Sequence, residues 1–399
     1  MTLSTFPPTR GEALSRLAKF APRAGKAYAS GRNMDPGPTQ AGAVSKLSPY
    51  VRYRLLTEQE VVGTTLGQHG LPSAEKYVQE VLWRTYWKGW LEMRPSVWTQ
   101  FELERDSQRD SFPDARAILS AEAGETGIEG FDDWARELAE TGYLHNHARM
   151  WFASIWIFTL RLPWSLGADF FMRHLIDADA ASNTLSWRWV AGLQTAGKTY
   201  LATTENIARY TNGRFAPKGL ATSAPVPSEV AAAAVQPIPI GAKFDPLKPA
   251  FLLITHEDLH PESVIGSPAI ISGAAVSCDP KTLWGDQARA FVKAATADTA
   301  NRAKAAFKCP TAVLDSLDAA TLLAQAKESG AEQIITPYAP VGPVADILAN
   351  LASVVALEGV PLVQVRRGWD ENFWPHATKG FFPFKERIPP ILREMGLSR

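Results

Sequence analysis

Ten of the thirteen tryptophans fall before residue 220, while beyond residue 250 short β-type runs alternate with helical runs. One layer architecture cannot serve both textures, because packed helices bury stripes whereas a parallel sheet buries whole strands. The sequence therefore predicts an all-helical unit over residues 1–215 and an α/β unit over residues 250–399. Between them, residues 216–249 are rich in Pro, Ala, Ser and Val and lack an amphipathic period, which reads as an extended linker. A chain of 399 residues is long enough to bury both cores.

In the second half, β-type runs at 250–255, 269–276, 311–314, 333–337 and 361–365 are separated by helical runs at about 284–307, 319–329 and 344–357. That alternation is the mark of a five-stranded parallel, Rossmann-like layer with crossover helices. The Gly-rich phosphate fingerprints that would follow a first strand are missing, so dinucleotide or P-loop binding by this half is unsupported. In the first half, residues 10–32 read as a helix pair or kinked helix and 33–44 as an open loop. Residues 72–94 are plainly helical, with Tyr77, Val81, Leu82, Tyr86 and Trp90 around Glu80, Trp83 and Arg84. Residues 103–127 are polar and read as loop with a short helix. Helical signals resume at 132–140, from Tyr143 to about Leu160, and from Gly167 to Leu175.

Lys+Arg and Asp+Glu balance at 41 each, so no global charge demands nucleic acid or an anionic membrane as partner. Cys278 and Cys309 lack metal-ligand spacing and are too few for a four-Cys site, which suits a reduced intracellular protein without a bound metal. No leader pattern and no run of ~18 apolar residues is present. The expectation is a cytoplasmic protein with no membrane partner.

One stretch stands out chemically. Asp177, Asp179, Asn183, Trp187, Arg188 and Trp189 crowd polar and aromatic groups into an otherwise apolar helical region. The plain reading is that the acids cap a helix, Asn183 satisfies a turn and the tryptophans are core. The functional reading is a ligand site, and the company upstream favours it. Asn146 and Arg149 share a helix face, which leaves Arg149 available to an acid such as Asp177. Ser45 and Ser48 open a short helix and suit either a plain N-cap or a phosphate.

Taken together and in order, Ser45-x-Leu47-Ser48-Pro49, Glu80-x-x-Trp83-Arg84, Thr141-Gly142-x-x-His145-Asn146-x-x-Arg149-Met150 and Leu175-Ile176-Asp177-x-Asp179-x-x-x-Asn183 followed by Trp187-x-Trp189 resemble the FAD-binding domain of the photolyase/cryptochrome family. The resemblance implies FAD as cofactor, held by Ser45, Leu47, Ser48, Glu80, Arg84, Asn146, Arg149, Asp177, Asp179 and Asn183, with Asn183 next to flavin N5. It implies that Glu80, Trp83, Asn146, Met150 and Trp189 line a cavity for a flipped pyrimidine dimer. Glu80 and Asn183 would take part in the chemistry, and Trp187 and Trp164 would be the inner members of an electron-carrying tryptophan chain. Its outermost member does not align, since Ser111 and Ala121 stand in that region; Trp134, Trp151 or Trp156 are the replacements to consider.

The α/β unit follows the helical unit here, whereas in the family it precedes it, so the resemblance implies a permuted order. The segment 251–259 resembles the family's first strand and loop, with His256 and Glu257 in place of its arginines, and 380–384 resembles the phrase that closes that domain. Whether an antenna chromophore binds is left open. The implied function is blue-light-driven splitting of cyclobutane pyrimidine dimers in damaged DNA, a lyase reaction. The alternative is a cryptochrome-like photoreceptor that docks a signalling protein.

Overall fold

In the computed structural model, residues 5–195, 197–226, 233–241, 243–266 and 269–398 are described. Part of the proposed linker, including Pro227 and Ala231, lies outside them. The first helix, α1 (Arg10–Phe20), starts where the Thr9 hydroxyl accepts from the Glu12 amide. It is followed by α2 (Lys26–Gly31), α3 (Ser48–Arg52) and α4 (Glu58–Leu66), the last begun by a reciprocal Thr57–Glu60 capping box. Long α5 (Leu71–Glu92) takes Pro72 in its first turn, where the missing N–H costs nothing.

Next come α6 (Ser96–Ser111), α7 (Ala115–Ala123), α8 (Phe131–Thr141) and α9 (Asn146–Ser154). The polar stretch 103–127, expected as loop with a short helix, is thus largely helical. Only Val97, Trp98 and Phe101 of α6 are buried, so its later turns carry no apolar stripe to read. After α9 the backbone widens into a π-turn at Ile155–Thr159. Then α10 (Trp164–His174), α11 (Ala180–Val190) and α12 (Thr204–Tyr210) complete the array.

The α/β part has strands β1 (Pro249–Ile254), β2 (Ile270–Ser277), β3 (Thr311–Leu314), β4 (Gln333–Pro337) and β5 (Leu362–Val365). They form a parallel sheet in the order β3-β2-β1-β4-β5, with Leu252 paired to Ala274 on one side and Ile335 on the other. Crossover helices are α13 (Asp286–Phe307), α14 (Ala319–Glu328) and α15 (Pro343–Leu357). The fold class is therefore a helical array plus a five-stranded parallel α/β layer, as expected.

Strand alternation divides the sheet's two faces. Phe251 and Leu253 pack toward α14 and α15, whereas Ala250, Leu252 and Ile254 share a core with Leu17, Phe20, Tyr50, Tyr53 and Phe291. The amino-terminal helices thus cover the sheet. Conversely, α16 (Gly368–Phe373) and α17 (Phe381–Glu394), which follow β5, place Trp369, Phe373, Phe384 and Ile388 in the core of the helical array. Arg54 bolts this exchange: fully buried, it grips Asp370 at 2.7 Å and approaches Asp258 at 3.4 Å and Glu58 at 3.6 Å. No helix among the described residues is long and apolar enough to cross a membrane.

Candidate flavin cavity

A cavity of about 290 Å³ opens in the helical array. Helix α5 presents Glu80, Trp83, Arg84 and Trp87 to it, the i, i+3, i+4, i+7 set that one helical face provides. Asn146 and Arg149 come from the first turn of α9, and Asn183 and Trp187 from successive turns of α11. Ser45, Leu47 and Ser48 close one side, and Asp177 stands on the loop before α11.

The floor is an ion pair. An Arg149 Nη donates to Asp177 at 3.0 Å, while Arg149 Nε donates to the Leu144 carbonyl at 2.9 Å, which fixes the guanidinium plane. Burial works against a charge on Asp177, but Arg149, Arg84 and the Ser48 hydroxyl outweigh it and hold the carboxyl below its usual range. Its other oxygen, Oδ1, is buried without a partner, as are Ser182 Oγ and Trp187 Nε1 on the same wall. Unmet buried polar atoms converging on one cavity are the imprint of a polar ligand. Asn183 donates its amide to the Ala168 carbonyl at 2.8 Å, so its orientation is set from outside the cavity.

Glu80 is reached by water yet hemmed in by the cavity walls. That enclosure pushes its carboxyl up, against the pull of Arg32 at 3.8 Å and of Lys76.

Asp179 does not line this cavity; it caps α11 by accepting from the Ser182 amide at 2.7 Å and pairs with Arg84. The plain capping reading thus describes Asp179, and the ligand reading describes Asp177. Met150, Trp164 and Trp189 also lie off the cavity wall. Trp164 packs on Phe101 with centroids 5.7 Å apart and borders a separate surface pocket with Glu104, and Trp189 stacks on Tyr200 at 5.8 Å. Around Trp187 the nearest rings are Phe171 at 5.1 Å and Phe152 and Trp156 at 6.3 Å, all edge-on.

Sequence reasoning passed over Tyr28, Lys46, Tyr143 and Ser182, all on the wall. Tyr143 was within reach, since it sits inside the Thr141–Met150 motif; its ring lies 5.5 Å from Lys46 Nζ and 5.7 Å from the Arg149 guanidinium. Lys46 adopts φ 51°, a left-handed conformation that no residue type announces.

Close packing behind the cavity gives a test. A Cβ on Gly167 would stand 2.3 Å from the Trp187 ring. Gly167→Ala should therefore destabilise the protein by about 1–3 kcal/mol, read as a lower melting temperature, and weaken flavin binding by pushing Trp187 into the cavity.

The helical half with its polar-walled cavity is a cofactor-binding domain, and comparison with known proteins says of which kind. Residues 77–227 match the model of the FAD-binding domain of DNA photolyase. A deoxyribodipyrimidine photo-lyase of Streptomyces griseus is 35% identical over 154 residues, covering 38% of this chain and 33% of that protein. One from a Synechococcus strain is 31% identical over 204 residues, covering 47% and 40%. The crystal structure of a bacterial class III photolyase from Agrobacterium tumefaciens aligns at 27% identity and a TM-score of 0.44, covering 51% of this chain and 43% of that one. Over residues 77–227 the chain is similar to the FAD-binding domain of DNA photolyase. It spans about a third to two fifths of the length of these curated relatives.

The residues present fit the cofactor. Hydroxyls of Ser45 and Ser48 with the charges of Lys46 and Arg149 suit a pyrophosphate, and the aromatic and aliphatic wall suits a flat ring system. The open acceptor on Asp177 suits hydroxyl or imide donors.

In the α/β layer, His256 and Glu257 are buried, and both Glu257 oxygens are taken by Arg52 at 2.7 and 2.8 Å. The two residues that stand in place of the family's loop arginines thus face the protein's own interior.

Proposed function

We propose that this chain is a light-driven, FAD-dependent enzyme that splits pyrimidine dimers in damaged DNA, working in the cytoplasm. The observation that carries the reading is the cavity in which Glu80, Trp83 and Asn146 meet the Arg149–Asp177 floor. Bound flavin supplies light absorption and electron exchange, which no side chain offers. The protein's part is to hold the ring beside Asn183, exclude water with Trp83 and Trp87, and offer Glu80 to the base edge. Enclosure pushes the Glu80 carboxyl up against the pull of Arg32 and Lys76, and in this role Glu80 hydrogen-bonds the base edge. Anaerobically reduced protein, illuminated with dimer-containing oligonucleotide, should restore the absorbance of intact thymine. No restoration would overturn the reading.

A basic rim for the DNA backbone is drawn from exposed Lys198 and Arg209, while Arg214 is committed to Asp35 at 2.8 Å. So sparse a rim implies weak binding with a shallow salt dependence. The permuted order, with units at 1–215 and 250–399 joined by 216–249, is part of the proposal and is supported by the parallel order of the five strands.

One contact favours a second reading, that of a photoreceptor which docks a signalling protein and repairs nothing. The ring of Phe381 on α17 stacks on Trp83 with centroids 3.7 Å apart and planes 11° from parallel, covering a face that a lesion would need. Phe381→Ala separates the two. If the cover excludes DNA, affinity for dimer-containing oligonucleotide should rise about tenfold in a filter-binding titration. Unchanged or weaker binding leaves repair as the reading.

A further inference from the structure

A second cavity lies where the two halves meet, outside the flavin site. In a parallel sheet of order β3-β2-β1-β4-β5, the connections from β1 and β4 leave in opposite directions, and ligands gather in the crevice beyond their carboxyl ends. Here that crevice is largely filled by the helical array. What remains is about 30 Å³, bordered by Glu257 after β1 and residues 340–343 after β4. A water needs roughly 10–15 Å³ of such space, so the cavity accommodates something the size of one or two waters.

Its wall carries the cations Arg52 and Lys88 and the carboxylates Asp179 and Glu257, with two helix amino termini beside them. Ala180 and Ala181, the first residues of α11, line it from one side, and Gly342 and Pro343 at the start of α15 from the other. The two helix starts nearly touch, since a Cβ on Gly342 would stand 3.1 Å from that of Ala180. Each brings the positive end of its dipole to the gap, although Pro343 has no N–H and the Ser182 amide already donates to Asp179. The carboxylates on the wall are spoken for: Asp179 pairs with Arg84, and Glu257 with Arg52.

Lys88, on the wall and 2% exposed, has no direct partner: its Nζ makes no hydrogen bond, and Asp179 and Glu257 act on it only through their field. It reaches this place because it lies one turn beyond Arg84 on α5. Burial, and repulsion from Arg54, push its amine down from the usual lysine range. A buried amine without a partner costs stability, and an anion beside it would repay the cost.

We propose that this cavity binds a small monovalent inorganic anion of chloride size, held by Lys88 and the amino-terminal ends of α11 and α15. The anion joins the α/β layer to the helical array, and it steadies the start of the helix that carries Asn183 and Trp187. The proposal is independent of the flavin reading, because its readout needs no flavin.

The test uses the full chain. Thermal unfolding is followed as chloride or bromide replaces gluconate at constant ionic strength, and crystals grown in bromide are measured for anomalous scattering. Expected are an anomalous peak within contact distance of Lys88 Nζ and a melting temperature that rises about 2 °C for each tenfold of halide above saturation. Lys88→Met, of similar volume and uncharged, should abolish both. The bromide crystal of the unaltered protein decides the matter should that variant fail to fold. Water alone beside Lys88, a halide series matching gluconate, or halide held equally by Lys88→Met would overturn the proposal.

Discussion

Asp177→Ala is expected to release the flavin and to cost about 3–5 kcal/mol of stability, the usual result when one member of a buried ion pair is removed. Asp177 is almost wholly buried, Arg149 donates to it at 3.0 Å, and Arg84 adds to the field that keeps it ionised. Without the carboxylate, Arg149 loses its ion-pair partner, while Arg84 keeps Asp179. Since each 1.4 kcal/mol is tenfold in affinity, flavin binding should weaken by a hundredfold or more. Flavin titration and chemical denaturation of the same preparation measure the two losses. Asp177→Asn, which keeps the shape and loses the charge, should fall between.

The same carboxylate sets an acid limit. A group whose folded pKa lies below its unfolded value contributes fully above the unfolded value, about 3.9 for Asp. That contribution is lost as pH falls through the lower, folded-state value. Asp177 and Asp179 are both held down in this way, so flavin retention should stay level from neutrality to about pH 4 and fail below it.

Arg54→Met should have the larger effect on folding. Arg54 is 1% exposed and is surrounded by Asp370, Asp258 and Glu58, with Asp258 also held by Arg367 at 2.6 Å. Two guanidinium groups therefore serve three buried acids. Burial accordingly pushes Asp370 up even as Arg54 opposes it. Removing Arg54 leaves Asp370 and Glu58 adjacent and uncompensated, a loss of about 3–5 kcal/mol or more. That is at least about a fifth of the stability of a typical domain. The expected result is insoluble or protease-sensitive protein, compared by limited proteolysis with the exposed substitution Arg209→Met, which should behave as the unaltered chain.

Legibility in the sequence followed the range of the physics. The strands were readable as short apolar, β-branched runs between helical ones, and 311–314 and 333–337 were placed to the residue, although β4 is buried throughout and β3 only in part. The Arg149–Asp177 pair was readable because a shared helix face brought Asn146 and Arg149 together and an acid-rich loop lay downstream. Helix α6 was hidden because its apolar contacts end at Phe101, leaving a polar surface that resembles a loop. Hidden too were contacts between distant stretches: Arg54 with Asp370, Phe381 with Trp83, and the exchange by which each chain end covers the other half. No local period encodes these. Met150 and Trp189, which the resemblance assigns to the cavity, are not among the residues that line it.

The most direct measurement is the absorption spectrum of the purified chain, reconstituted with FAD if colourless, before and after blue light under anaerobic conditions. A bound-flavin spectrum whose visible bands bleach on illumination, and which Asp177→Ala fails to show, is the predicted result. A chain that stays colourless after reconstitution while remaining folded by circular dichroism would contradict the account.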